Sequence, residues 1–127
     1  MRVYKINSRA KINLNLNVII KSKITKLHSI ESLVCFINLS DKIYITKLKS
    51  NSHKIVFTGK FSKNIKKKNT ITKLLSLLEK DNVLKNKYKI LIKKEIPQQS
   101  GMGGGSMNAA NILNYFYKKK IINFNEL

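Results

Sequence analysis

The sequence predicts one α+β domain, with strands dominating its first half and two amphipathic helices in its second. Three observations support this: an almost perfect period-two alternation near the amino terminus, turn-forming residues between later apolar runs, and apolar residues at three- and four-residue spacing in two segments. With 127 residues and 43% hydrophobic content, the chain is long enough for one core and too short for two ordinary domains. We therefore expect one domain, or part of one.

The predicted strands follow from alternation. In residues 9–18 one face is apolar and is expected to be buried, while Lys11 and Asn13 lie on the polar face. The apolar members are Ala10, Ile12, Leu14, Leu16 and Val18. Strands are also predicted over 31–38 and 42–48, separated by a turn at Ser40 and Asp41, and over 53–58, ended by Gly59. Such closely spaced strands favour a mostly antiparallel sheet.

The helices follow from a change of period. A helix is predicted over 70–79, after the helix-starting residues Asn69 and Thr70. Alternation returns at Tyr88, Ile90 and Ile92, in a strand that is predicted to end at Pro97, the only proline. A second helix is predicted to start near Ser106. Its inner face is expected to comprise Ala109, Ile112, Leu113, Phe116 and Tyr117.

The net charge of +20, from 26 Lys and Arg against 6 Asp and Glu, raises the question of nucleic-acid binding. Only Arg2 and Arg9 are arginines, and Lys, Asn and Ile share A- and T-rich codons, so an AT-rich genome is a competing explanation. Solvated lysines on an ordinary surface are the favoured interpretation. Attraction for anionic partners such as nucleotides is expected in either case.

The sequence contains no targeting or membrane-spanning segment that we recognise, and it contains one cysteine. The first twenty residues lack the apolar stretch of a secretory signal, and no run reaches bilayer length, so we expect a cytoplasmic protein with no membrane partner. Cys35, the only cysteine, lies in the apolar run 33–37 and is expected to be a reduced core thiol. The sequence does not indicate the oligomeric state.

The most informative segment is a glycine-rich loop between a predicted strand and a predicted helix. Four of the five glycines fall within 101–105. Glycines permit positive φ and close approach, and the amides at a helix start bind anions, so the loop is expected to contact phosphate. It lacks the Gly-Lys-Ser/Thr of a P-loop and the acidic partner of a dinucleotide fold. A flexible glycine turn is the structural alternative.

The run 97–110 resembles the second motif of the GHMP kinases, Pro-x-x-x-Gly-Leu-Gly-Ser-Ser-Ala in general form. Three consecutive glycines followed by Ser-Ser-Asn-Ala-Ala or Ser-Ser-Asp-Ala-Ala are typical of the branch that acts on a nucleotide-linked polyol in isoprenoid-precursor synthesis. Met102 replaces the usual Leu, and Met107 replaces the second Ser. The resemblance implies a ribosomal protein S5 domain 2-like fold and an ATP-binding segment. The implied ATP-binding residues are Pro97, Gln98, Gln99, Ser100, Gly101, Met102, Gly103, Gly104, Gly105, Ser106 and Met107.

Residues 9–16 resemble the first motif of the same family, Pro-Ala-Lys-Ile-Asn-Leu-x-Leu, with Ser8 or Arg9 in place of the proline. The resemblance implies that Lys11 is catalytic and lies beside the hydroxyl that is phosphorylated. An ammonium there can offset the negative charge that develops during phosphoryl transfer. Asn13 is implied as a substrate contact. Taken alone, Lys11 would be an ordinary solvent-facing lysine.

Weaker matches add further candidates. Residues 27–33 resemble Gly-Tyr-His-x-Leu-x-Thr-Leu, which implies that His28 contacts the cytosine of the substrate, while Leu27 replaces a stacking Tyr. Asn69 and Lys94 are implied as nucleotide contacts, and Asn108 as a substrate contact. Because Met107 replaces the second Ser of the motif, Ser106 is left as its candidate for contact with Mg²⁺. His28 as a loop residue and Asn69 as a helix cap are the structural alternatives.

The family's catalytic Asp belongs to a later Gly-x-Asp-x-Pro-Phe motif, and neither Asp41 nor Asp81 has that context. Residues 1–127 are therefore expected to be an incomplete amino-terminal ATP-binding domain, without the carboxy-terminal domain and inactive alone. The implied reaction is phosphoryl transfer from ATP, with Mg²⁺, to an alcohol of a nucleotide-linked polyol. The alternatives are another GHMP small-molecule kinase, or a basic nucleic-acid-binding module of S5-like fold, which would explain the lysines but not the 101–110 run.

Overall fold

A computed structural model describes residues 2–21 and 28–123. Its elements in chain order are β1 (Val3–Lys21), β2 (His28–Leu48), β3 (Lys54–Thr58), α1 (Thr70–Lys80), β4 (Lys87–Lys93) and α2 (Gly104–Lys118). The strands form one sheet in the order β1-β2-β4-β3. The predicted α+β class is confirmed.

Three of the four strands are paired antiparallel, β1 with β2 and β2 with β4. The exception is β3, which runs parallel to β4. A parallel pair needs a crossover connection, and α1 lies in that connection. Period-two patterning cannot distinguish the two directions, so this pairing was not predicted.

Both helices contribute to one hydrophobic core on one face of the sheet. Alternate residues Ile43 and Ile45 of β2 and Ile90 and Ile92 of β4 are fully buried there. The helical members of the core are Ile71, Leu75, Leu78, Ile112 and Phe116. The rings of Tyr88 and Phe116 lie 4.9 Å apart and join β4 to α2. The centre of the sheet is thereby held rigidly beneath both helices.

The predicted turn at Ser40 and Asp41 is wrong, because β2 is one continuous strand of 21 residues. Ser40 pairs with Arg9, and Asp41 pairs with Ser8 inside the ladder. Turn propensity is overridden because the Asp41 carboxylate is fully buried and hydrogen-bonded. The irregularity lies beside it, where Arg9 and Lys11 on β1 correspond to Ser40 and Phe36 on β2. Extra residues on β2 make this a bulge.

Beyond the bulge, β1 and β2 continue as a two-stranded ribbon, called here the β1–β2 arm (residues 12–21 and 28–37). The prediction of one buried face holds for Ala10 but is wrong for Leu14, Leu16 and Val18, which are 49–62% exposed. Cys35, expected in a core, is a free and only half-buried thiol between the exposed Val34 and Phe36. Both helices cover the sheet centre, so burial ends where the arm begins.

Two details of α2 also differ. It begins at Gly104, two residues before the predicted start, and Gly103 is its N-cap. Tyr117, predicted on the inner face, is 48% exposed, whereas Asn108 is buried on that side. The inner stripe is therefore Asn108, Ala109, Ile112 and Phe116. Neither helix in the described part of the chain has the length and apolar character to cross a bilayer.

Candidate active site

A cleft of about 340 Å³ opens between the glycine-rich loop and the amino-terminal ends of α1 and α2. Residues 97–106 form much of its wall. The other lining residues are Phe57, Ile65, Asn69, Thr70, Ile71, Lys94 and Asn108. The volume is in the range of small-molecule sites, and these described lining residues include no carboxylate. The cleft is thus suited to an anionic small molecule.

The loop is held in a conformation that glycine favours. Gly101 and Gly103 have φ of 73° and 67°, in the left-handed region. Gly103 is the N-cap of α2, and no side chain caps that end of the helix. The first amides of a helix have no intrahelical acceptor, and the helix dipole adds partial positive charge there. The start of α2 therefore offers amide donors to an anion.

Two neighbouring glycines differ in how much room they leave. A Cβ on Gly104 would lie 3.2 Å from Cγ2 of Ile96 and 3.3 Å from Nζ of Lys94. A Cβ on Gly105 would meet only the Thr70 hydroxyl, at an ordinary 3.6 Å. Gly104 therefore permits a close backbone approach that a larger residue would disturb, whereas Gly105 tolerates a methyl group.

The loop is also anchored at several points. Gln98 donates through Nε2 to the carbonyls of Phe61 (2.8 Å) and Lys63 (2.7 Å). The amide of Lys11 donates to the carbonyl of Met102 at 3.1 Å. Gly59, with φ of 91°, packs so closely that a Cβ would lie 2.7 Å from the Lys94 carbonyl oxygen. These contacts fix the loop against β1 and against the segment after β3.

Lys11 lies against the loop. A Cβ on Gly103 would lie 3.3 Å from Cε of Lys11. The Lys11 ammonium donates to Oδ1 of Asn13 at 3.0 Å, so both side chains share one face of β1. Neither residue lines the cleft itself. Lys11 therefore places a positive charge beside the glycine loop.

Behind the cleft lies a buried polar cluster. Asp41 is fully buried and accepts hydrogen bonds through Oδ1 from the amides of Glu95 (2.8 Å) and Ile96 (2.9 Å). Its Oδ2 accepts from Nδ2 of Asn108 at 2.8 Å and from the ammonium of Lys94. Sequence reasoning missed Asp41. The available signal was an acidic residue at an inward position of a run in which Ile43 and Ile45 also point inward.

The predicted site residues are otherwise distributed as follows. Asn69 lines the cleft, but it caps α1: its Oδ1 accepts from the amides of Ile71 (3.0 Å) and Thr72 (3.1 Å). The structural alternative for Asn69 is thus realised. Met107 is not part of the lining. Leu27 and the side chain of His28 lie outside the described residues.

The donor set for a metal ion is sparse. Ser106 lines the cleft with its hydroxyl. Across residues 2–21 and 28–123, no group of three His, Cys, Asp or Glu side chains could hold a metal ion. Mg²⁺ prefers several oxygen ligands, including substrate phosphates. The described residues therefore do not form a metal site of their own.

Residues 69–126 match the family described as GHMP kinases N terminal domain. This segment contains α1, β4, the glycine loop and α2, the elements that form the cleft. The part of the chain that forms the cleft is therefore similar to the amino-terminal domain of the GHMP kinases, and the chain has the α+β fold of that domain.

Particular relatives narrow the comparison. The chain is 56% identical to the 4-diphosphocytidyl-2-C-methyl-D-erythritol kinase of Pelagibacter ubique over 96% of its own length and 43% of the relative's. It is 35% identical to the kinase of the same name in Ureaplasma parvum, over 97% of its own length and 48% of that relative's. A crystal structure of 4-(cytidine 5'-diphospho)-2C-methyl-D-erythritol kinase matches with a TM-score of 0.66 and 26% identity, over 91% of this chain and 40% of that one. The chain thus spans less than half the length of these relatives.

Proposed function

We propose that the full-length protein transfers the γ-phosphoryl group of ATP to the 2-hydroxyl of 4-diphosphocytidyl-2-C-methyl-D-erythritol, in the cytoplasm, on the methylerythritol phosphate route to isoprenoid precursors. The observation that supports this best is the glycine loop at the uncapped start of α2, with Lys11 packed against it. Relatives named for this reaction, up to 56% identical, support the choice of substrate.

In this proposal residues 1–127 supply the ATP-binding part of the protein. The amides of Gly103, Gly104 and Gly105 hold the β- and γ-phosphates, because the loop offers them at a helix start. Residues 97–102 and Asn69 shape the cleft around the rest of the nucleotide. Binding by backbone amides positions the phosphates without requiring a Walker lysine.

Lys11 and Asn13 face the hydroxyl of the acceptor. The Lys11 ammonium stabilises the charge on the transferring group and the attacking oxygen. In this proposal the carboxylate that accepts the hydroxyl proton belongs to the Gly-x-Asp-x-Pro-Phe motif of the family. His28 and Asn108 are the proposed contacts to the rest of the acceptor.

Magnesium enters this proposal as the counter-ion of ATP. Mg²⁺ commonly keeps several waters and binds through substrate phosphates and one or two protein oxygens. Ser106, one of the hydroxyl residues that line the cleft, is proposed to provide such an oxygen. The ion would neutralise phosphate charge, while the chain's own groups bind and orient the nucleotide.

The test is ATP consumption by the longest protein product that contains this sequence, with and without the diphosphocytidyl substrate. We expect turnover that needs this substrate. A preference for homoserine, mevalonate or galactose would move the protein elsewhere in the family. Tight, strongly salt-dependent RNA binding without ATP binding would instead favour the basic nucleic-acid-binding module.

A further inference from the structure

We propose that Asp41 is a positioning residue of the nucleotide site, which holds the ammonium of Lys94 and the amide of Asn108 in the cleft wall beneath the start of α2. The inference rests on the proposed function, because it assumes that the cleft binds ATP. It concerns a residue in the middle of β2, far in sequence from both motifs.

The first argument is burial. The buried polar or charged side chains of the described residues are Ser8, Asp41, Lys94 and Asn108, and the last two both donate hydrogen bonds to Asp41. A buried charge costs several kcal/mol unless it is paired and hydrogen-bonded, so an ion pair at 0% and 5% exposure must be well satisfied. Asp41 meets that requirement with four donors, two of them backbone amides.

The second argument is the division between its two oxygens. Oδ1 accepts only backbone amides, those of Glu95 and Ile96, and so fixes the segment that leads into the glycine loop. Oδ2 accepts only side-chain donors, from Lys94 and Asn108. One half of the carboxylate thus shapes the backbone, and the other half orients two side chains that line the cleft.

The third argument is what those side chains then present. An ionised carboxylate can only accept, so Asn108 must turn Nδ2 towards Asp41. Its Oδ1 is then left buried, with no hydrogen-bond partner, in a residue of the cleft wall. A buried acceptor without a partner is costly. A hydroxyl or amino donor of a bound ligand would satisfy it.

The ammonium of Lys94 lies close to the start of α2. Its Nζ lies 3.3 Å from the position of a Cβ on Gly104, the first residue of α2. The ammonium therefore lies beneath the helix start, where phosphate is proposed to bind. Without the Oδ2 partner, both Lys94 and Asn108 would lose the group that orients them.

The division of the oxygens makes Asp41→Asn a selective variant. The Asn oxygen can still accept from the amides of Glu95 and Ile96, while its NH₂ group would face two donors, those of Lys94 and Asn108. The experiment uses the longest protein product and measures the Kd for ATP by titration, and then KM and kcat at a temperature at which every variant is folded. We expect Asp41→Asn to raise the Kd for ATP about tenfold, with kcat changed less than about threefold.

A double-mutant cycle with Lys94→Met tests the mechanism. If Asp41 acts through Lys94 and Asn108, the double variant should bind ATP within about threefold of the weaker single variant, whereas independent effects would multiply to about a hundredfold. Asp81→Asn, at the exposed C-cap of α1, is the matched control for the substitution. Ile43→Val, in the same strand, is the control for lost stability, and both controls should leave the Kd unchanged.

Several outcomes would overturn the inference. These are an unchanged Kd for ATP in folded Asp41→Asn, a loss that Ile43→Val reproduces, or multiplicative effects in the cycle. A wild-type protein that binds no ATP would overturn this inference and the proposed function together. A wild-type protein that binds ATP but does not turn over the diphosphocytidyl substrate would overturn only the substrate assignment, and the binding comparison would still decide the role of Asp41.

Discussion

Lys11 illustrates how the proposed chemistry depends on single residues. Its amide is bonded to the glycine loop through Met102, and its side chain packs beside Gly103. Backbone and side chain thus position the ammonium together. In phosphoryl transfer such a positive charge stabilises the transition state most, because negative charge is spread there over the oxygens of the transferring phosphoryl group.

Lys11→Met is therefore expected to lower kcat by about 10² or more while changing the KM for ATP less than about threefold. Steady-state kinetics on the longest protein product measures both values. Lys5→Met, an exposed lysine on the same strand, is the matched control and should leave both unchanged. Equal losses in the two variants would show that general positive charge, and not the position of Lys11, matters.

Gly104 and Gly105 form a second matched pair. Gly104→Ala should weaken ATP binding about tenfold, because its Cβ would press on Ile96 and Lys94 and shift the start of α2. Gly105→Ala should bind ATP within about threefold of wild type, since its Cβ has room beside Thr70. Isothermal titration with ATP distinguishes the two. The reverse order of affinities would contradict the packing argument.

At the scale of elements, a polar contact joins the last turn of α1 to the residues just before β3 and at the start of β4. His53 precedes β3, accepts from the amide of Tyr88 at 3.0 Å through Nδ1, and lies 3.1 Å from Glu79 through Nε2. Lys87 pairs with the same carboxylate. Burial lowers the pKa of His53. The nearby charge of Lys87 also lowers this pKa, whereas the charge of Glu79 raises it. The hydrogen bond from Lys87 lowers the pKa of Glu79.

Both shifts give stability the same pH dependence. As the pH falls below 6.5, His53 is protonated in the unfolded chain before it is protonated in the folded chain. The free energy of unfolding therefore falls as the pH is lowered. Near and below pH 4.5 protonation of Glu79 acts in the same direction. Urea unfolding at pH 7.5, 6.5 and 5.5 should show decreasing midpoints. His53→Gln should flatten this trend, whereas Ser52→Ala should not. An unchanged slope in His53→Gln would refute the assignment.

At the scale of the whole molecule, the β1–β2 arm exposes apolar residues at 41–63% of their surface. They are Leu14, Leu16, Val18, Ile19, Ile30, Leu33, Val34 and Phe36. Contiguous exposed apolar surface is unusual for a complete globular domain. Together with relatives of which the chain covers 38–48%, this accords with a site that needs more than the described residues.

Residues 1–127 alone are accordingly expected to show no turnover of ATP with the diphosphocytidyl substrate, because no described carboxylate lines the cleft to accept the hydroxyl proton. A coupled ADP-release assay on this chain and on any longer product measures the difference. Robust turnover by residues 1–127 would refute the expectation. Activity confined to the longer product would confirm it.

Local pattern alone was sufficient for much of the fold. Alternation predicted β1, β3 and β4, and the three- and four-residue spacing predicted α1 with its cap at Asn69 and most of α2. These features are determined by contacts between residues near in sequence, and such contacts leave a readable period. The motifs predict the glycine loop and Lys11 as site residues, and in the structure Lys11 lies beside Gly103 of the loop.

Only the tertiary structure decided the features that depend on contacts between residues distant in sequence. Asp41 looked like a turn residue because its donors come from 53 to 67 positions away. The parallel pairing of β3 and the exposure of the arm likewise depend on which elements meet, since alternation marks a face as apolar but not what covers it. The sequence by itself determined most of the elements and the two motifs. Packing determined that the carboxylate of Asp41 on β2 lies buried behind the cleft. Burial and pairing of charge depend on distant residues, which meet only when the chain is folded.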